Sequence, residues 1–147
     1  MRLWHKDLIR VLPRQQLLGQ WRECCCIAKN IAEKGTPNHL LVNKVVDYPI
    51  SEFCDYCNIV LKEMLKRGYS VTSKAINGLE KNIDLYVDSH VNTNIFFNWH
   101  DDRYLKQCLY NLQEKYDLDK TQILLLLHYF PVLIFYQKFL LNNFYCG

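Results

Sequence analysis

Apolar residues between Pro13 and Lys34 return every three or four positions, placing Leu17, Leu18, Trp21, Cys24, Cys25, Ala28, Ile31 and Ala32 on one helical face. Gln15, Gly19, Arg22, Glu23, Cys26, Asn30 and Glu33 fall on the other face. Pro13 suits a first helical position and Gly35-Thr36-Pro37 supplies a stop, so a long first helix is predicted over residues 13–34. Residues 40–48 read as extended or irregular. A second helix is predicted over residues 51–67, with Phe53, Cys57, Val60, Leu61, Met64 and Leu65 inward and Gly68 as its cap. A weaker amphipathic pattern follows over residues 72–88 on Ile76, Leu79, Ile83 and Tyr86. Asp101 is placed to cap a further helix reaching Tyr116, with Leu105, Cys108, Leu109 and Leu112 buried. The pattern predicts an all-α chain, a compact single-domain helical bundle with a long first helix.

The ending differs from the rest. Residues 123–136 are almost wholly apolar but contain His128 and Pro131, and about fourteen residues fall short of the roughly twenty that span a bilayer. A buried or interfacial segment fits better than a transmembrane helix, and an abnormal terminus, as from a frame change, is also open. The organisation expected is a helical domain over residues 1–120 with an apolar segment, residues 121–147, packed on it.

Composition adds little until it is mapped along the chain. Half of the 147 residues are hydrophobic, which excludes disorder. The formal charge of +3 is modest, but residues 1–34 hold seven basic residues (Arg2, Lys6, Arg10, Arg14, Arg22, Lys29 and Lys34) against Asp7, Glu23 and Glu33. Positive potential is therefore concentrated at one end. The seven cysteines are odd in number, three are contiguous, and the charged opening lacks a signal-peptide core. Free thiols in a reducing cytoplasm are expected.

Candidate chemistry lies on the polar side of the first helix. Glu23 stands one turn above Gly19, where a missing side chain leaves room for a ligand or another backbone. Arg22 is its neighbour, and Gln15 and Gln16 lie one to two turns earlier, so an acid, amides and a guanidinium share one surface. Taken alone, such a surface is better explained by contact with water.

Met1-Arg2-Leu3-Trp4 together with residues 12–23, Leu-Pro-Arg-Gln-Gln-Leu-Leu-Gly-Gln-Trp-Arg-Glu, resembles the pyrimidine-dimer DNA glycosylase (endonuclease V) family. The likeness is strongest to a bacterial branch with this Met-Arg-Leu-Trp start. Residues 61–69 are similar to the family's helix that ends in Lys-Arg-Gly-aromatic, and residues 99–108 are similar to the bacterial branch alone. The resemblance implies a DNA-repair glycosylase with abasic-site lyase activity on pyrimidine-dimer-like damage in double-stranded DNA. It implies an N-terminal amine, here that of Met1, which attacks C1′ and forms a Schiff base, with Glu23 moving protons. Arg2, Arg14, Gln15, Gln16, Arg22 and Lys29 are the implied DNA contacts. Gln16 stands where the family's phage enzyme has histidine, and Cys26 where it has a phosphate-binding arginine. Methionine removal requires a small second residue, so Arg2 implies that Met1 is retained. An α-amine has a reference pKa of about 7.7–8.0 against about 10.4 for lysine, so much of it is free base near neutrality. No cofactor and no metal is expected, and the protein is read as a cytoplasmic monomer without a membrane partner.

Other signals carry less. Cys54 and Cys57 have the spacing of a thiol pair but fall inside a predicted helix with no second pair. His39 and His100 read as structural or surface histidines, and Phe96, Phe97 and Trp99 as core rather than a base-stacking platform. The alternatives to an enzyme are a non-catalytic nucleic-acid-binding relative and a membrane-associated or partner-binding protein anchored by the apolar end.

Overall fold

The computed structural model describes residues 2–84 and 92–118, and no strand occurs among them. Among the described residues four helices follow one another: α1 (Arg14–Lys34), α2 (Ile50–Lys66), α3 (Ser73–Ile83) and α4 (Asp102–Leu118). Two 3-10 turns, Lys6–Val11 and Asn43–Asp47, precede α1 and α2. The chain divides into two compact units, Met1–Cys108 and Leu109–Gly147. Of the second, the described part is residues 109–118, the C-terminal portion of α4. The apolar segment at residues 121–147 and Tyr86 lie outside the described residues, as does Met1. No described helix is long and apolar enough to cross a membrane.

Local chemistry accounts for the helix ends. Pro13 precedes the first turn of α1, and Gly35 closes it in the left-handed region, φ +69°, donating its N–H to Ile31 O at 2.8 Å. Thr72 caps α3 by accepting from Ala75 N–H. Asp101 Oδ1 accepts from Tyr104 N–H at 2.7 Å, the cap its position predicts. Asp84, with φ +50°, ends α3 at Ile83, short of the predicted extent.

In the first unit, α1 packs against α2 and α3, and α2 packs on both 3-10 turns. The buried stripe of α1 is Leu17, Gln20, Trp21, Cys24, Ile27 and Ala28. It is rotated from the predicted face: Ala32 is exposed, Leu18 and Cys25 are only half-buried, and Gln20 and Ile27 join the core. On α2, Leu65 turns out to solvent at 53% exposure, while Tyr56 and Asn58 are buried.

The end of α2 fastens the first 3-10 turn. Arg67 donates from Nη1 to Leu12 O at 2.6 Å and from Nη2 to Arg10 O at 2.8 Å, and its Nε lies 2.6 Å from Glu63 Oε1. Gly68 takes φ +71°, which lets Tyr69 N–H reach back to Met64 O at 2.9 Å. Tyr69 then lies under the Arg14 guanidinium, 5.3 Å from ring centroid to Cζ. The Lys-Arg-Gly-aromatic string thus has a structural reason: it ties α2 to the segment leading into α1.

Candidate DNA-processing site at the N-terminal segment

Residues 3–5 and the start of the 3-10 turn at Lys6 have backbone polar groups that are met by four different parts of the fold. Leu3 O accepts from the Tyr104 hydroxyl at 2.5 Å, and Trp4 N–H donates to Gln20 Oε1 at 2.9 Å. Trp4 O accepts from the Tyr56 hydroxyl at 2.7 Å, and Lys6 N–H donates to His100 Nδ1 at 3.0 Å. The side chains of Leu3, Trp4 and His5 are buried. Burial pushes the hydroxyls of Tyr56 and Tyr104 up from the ordinary phenol value, so both remain O–H donors at any working pH.

The loop carrying His100 is itself constrained. Phe96 and Asn98 have φ of +55° and +67°, strained values for non-glycine residues. Glu52 Oε2 accepts from Phe96 N–H at 2.5 Å, and the Tyr48 hydroxyl donates to Phe97 O at 2.6 Å. Phe96 and Trp99 are core, as expected, but Phe97 is 72% exposed. The His100 ring lies 4.9–5.8 Å, centroid to centroid, from the rings of His5, Tyr56, Phe96, Trp99 and Tyr104. It therefore sits among aromatic rings with little water to solvate a charge. Desolvation first, then the nearby His5 and Lys6, brings its pKa down to about 2. His5 is lowered by the same burial, so its 3.7 Å approach to Asp7 Oδ2 is not an ion pair near neutrality.

A pH dependence follows. The unfolded histidine takes up its proton near pH 6.5, the folded His100 only near pH 2, so folding stability is complete above pH 6.5 and declines as pH falls through that window. The expected loss from His100 is up to about 1.4 kcal/mol for each pH unit below 6.5. Urea denaturation at pH 7.0, 6.0 and 5.0 should record it, and His100→Gln, whose amide oxygen can still accept from Lys6, should flatten the slope. A slope unchanged in that variant would exclude His100 as its source.

The sequence-predicted residues divide into three groups. Gln15, Arg22 and Lys29 are exposed on α1 and recur every seven residues, forming one stripe about 21 Å long. Lys29 Nζ lies 3.8 Å from Glu33 Oε1. Gln16 and Glu23 occupy the adjoining stripe, about 100° around the axis, at the margin of the core. Both are half-buried, and Glu23 Oε2 and Gln16 Oε1 are shielded from solvent. Glu23 is therefore not in the middle of a solvated face. Arg14 is exposed and turned toward Tyr69, away from these stripes. Arg2 belongs to the N-terminal segment, its guanidinium 5.8 Å from the Trp4 ring and beside the Cys108 thiol. A Cβ on Gly19 would meet no atom within 4 Å, so the space beside Glu23 is open rather than filled by a neighbouring backbone.

Sequence reasoning missed Gln20, Tyr56 and Tyr104 as the groups that hold the N-terminal segment, and it gave His100 no particular partner. The available signal was Gln20 itself, a polar residue at a position the helical period assigns to the core. Its side chain is 1% exposed, and Nε2, Gln16 Oε1 and Arg2 Nη1 are buried without hydrogen-bond partners among the described residues. Each such atom costs about 1–3 kcal/mol when nothing meets it. The thiols are differently placed: Cys54 donates to Ile83 O at 3.1 Å, Cys57 packs against Cys24, and burial pushes both up, Cys54 to about 11. No group of three or more metal-binding side chains converges among the described residues.

A stripe of amide, arginine and lysine beside a half-buried glutamate has donors of the kind that phosphate contacts use, as many solvated helix faces have. The comparison with known families is more specific. A family model, pyrimidine dimer DNA glycosylase, matches residues 1–77, from the N-terminal segment through α1 and α2 into α3, and the chain belongs to that family. Its class is thereby that of DNA-repair glycosylases, and its substrate class is DNA. Searches of curated proteins and of solved structures returned no match.

Proposed function

We propose that the protein is a DNA glycosylase with abasic-site lyase activity, acting on pyrimidine-dimer-like damage in double-stranded DNA. The nucleophile is the α-amine of Met1, and Glu23 carries the protons. Arg2, Arg14, Gln15, Gln16, Arg22 and Lys29 bind the DNA. The protein works as a cytoplasmic monomer without a cofactor.

One observation carries this reading. Trp4 N–H is fixed 2.9 Å from Gln20 Oε1, and Gln20 is a helical neighbour of Glu23, three residues along α1. Three residues separate the Trp4 nitrogen from the first nitrogen, a span of at most about 11 Å when fully extended. Side chains three apart on a helix are about 5–6 Å from each other at Cβ. This tether on the helix that carries Glu23 supports a reading in which the first amine reaches the Glu23 carboxyl. The unmet polar atoms of Arg2 and Gln16 suit a site that awaits a ligand.

The chemistry balances with water as the co-reactant. The amine lone pair attacks C1′, the glycosidic bond breaks, and the base leaves with the bonding pair and gains a proton. The amine loses its protons as the sugar ring opens, leaving an imine at C1′. Removal of a C2′ proton then drives cleavage of the C3′–O bond, with the 5′-phosphate strand as leaving group. Water hydrolyses the imine and restores the amine. Glu23 is the group assigned to give and take these protons.

Borohydride trapping tests the reading. Protein mixed with a duplex containing an abasic site and then reduced is expected to give a covalent adduct, mapped by mass to the Met1 nitrogen. Selective acetylation of the α-amine should abolish it. No adduct with unblocked protein, or an adduct on a lysine, would overturn the proposal.

A further inference from the structure

The peptide unit joining Leu3 and Trp4 is gripped at both edges. Its carbonyl oxygen accepts from Tyr104 of α4 at 2.5 Å, and its N–H donates to Gln20 of α1 at 2.9 Å. A peptide unit is planar, so bonds on opposite edges fix its tilt as well as its position. The Trp4 carbonyl and Lys6 N–H bonds lie farther from the chain start and would leave that plane free to pivot. Five soft dihedrals, ψ of residue 1 and φ and ψ of Arg2 and of Leu3, separate that plane from the first nitrogen.

We propose that Gln20 and Tyr104 are positioning residues that aim the first amine of the chain at the substrate sugar, an inference that rests on the function given above. Neither needs to touch DNA; both act through the Leu3–Trp4 backbone. Gln20 is not a packing residue: its Oε1 is engaged while Nε2 is buried without a partner among the described residues. A leucine would fill a similar volume without that unmet donor. Tyr104 keeps its proton because burial raises its hydroxyl, so the grip persists at pH values where the amine is free base. A nucleophile misplaced by about 1 Å loses on the order of a hundredfold in rate.

The experiment compares Gln20→Leu and Tyr104→Phe with the unaltered protein in single-turnover borohydride trapping on an abasic-site duplex. Affinity is measured separately on a duplex carrying a tetrahydrofuran abasic analogue, and thermal melts confirm that each variant is folded at the assay temperature. The trapping rate constant is expected to fall about 10- to 100-fold with the dissociation constant within about twofold. Gln20→Glu, which keeps an acceptor oxygen in place, should return the rate to within about threefold of the unaltered protein. Undiminished trapping in both folded variants, a rate that falls only in step with affinity, or failure of Gln20→Glu to rescue would overturn the positioning role while leaving the function intact. An unaltered protein that forms no adduct would overturn the function, and this inference with it.

Discussion

Replacing Glu23 by glutamine is expected to slow strand cleavage at an abasic site about a thousandfold while leaving affinity for the duplex within about twofold. The substitution keeps the shape of the side chain and removes its capacity to exchange a proton. Glu23 is half-buried on α1 at the margin of the core, with Oε2 shielded from solvent, so water cannot readily take over its task. Ring opening and loss of the C2′ proton both need a proton acceptor or donor close to the sugar, and general acid–base catalysis commonly contributes 10²–10⁴-fold. Glu23→Asp, one methylene shorter, should fall between the two. Single-turnover cleavage of an end-labelled duplex measures the rate, and the tetrahydrofuran duplex measures affinity. A glutamine variant as fast as the unaltered protein would remove Glu23 from the chemistry.

The second large effect concerns stability. Arg67→Met is expected to lower the unfolding free energy by about 3 kcal/mol, with a fall in Tm of roughly 10 °C. The guanidinium joins the Glu63 carboxylate to the carbonyls of Leu12 and Arg10, and the Arg67 and Glu63 side chains are only 18% and 12% exposed. Truncation strands a largely buried carboxylate and at least two acceptors together. Arg67→Lys should recover less than half of the loss, because a compact ammonium cannot span three acceptors arranged for a planar fork. Glu63→Gln in the methionine background should restore part of it by removing the stranded charge. A loss below about 1 kcal/mol in the methionine variant, read from urea denaturation, would contradict this account.

How much of this was legible in the sequence depends on whether the determinant is local. The limits of α1 follow from Pro13 and Gly35, and the start of α4 from Asp101, since each acts within one turn of itself. The end of α3 was less legible, because nothing in residues 84–88 punctuates the pattern as Gly or Pro would. The orientation of α1 was misjudged for a different reason. Hydrophobic periodicity counts only apolar side chains and so left Gln20 unassigned, whereas its partner is a backbone N–H sixteen residues earlier. The rotation that buries Gln20 also moves Glu23 from an open face to the margin of the core. Leu65 was misplaced likewise: it lies about 100° around α2 from the buried Met64 and meets no second layer.

The candidate residues named from resemblance are on α1 and at the chain start. Those that shape the site, His100 and Tyr104, act on Lys6 and Leu3 across 94 and 101 residues of chain. No spacing rule reaches across such a gap. Only the three-dimensional fold brings these rings against the N-terminal segment.

That separation has a consequence for synthesis. Leu3 is translated 101 residues before Tyr104, whose hydroxyl helps to seat it. A growing polypeptide shorter than that carries the early segment without its full mooring. Long-range closure of this kind comes late in folding and at an entropic cost. A ribosome-bound fragment, or a product cut short before Tyr104, would lack that bond and retain only the partners Gln20 and Tyr56 for Leu3 and Trp4. Full seating of residues 3–6 would therefore wait until residues 100–104 have been made.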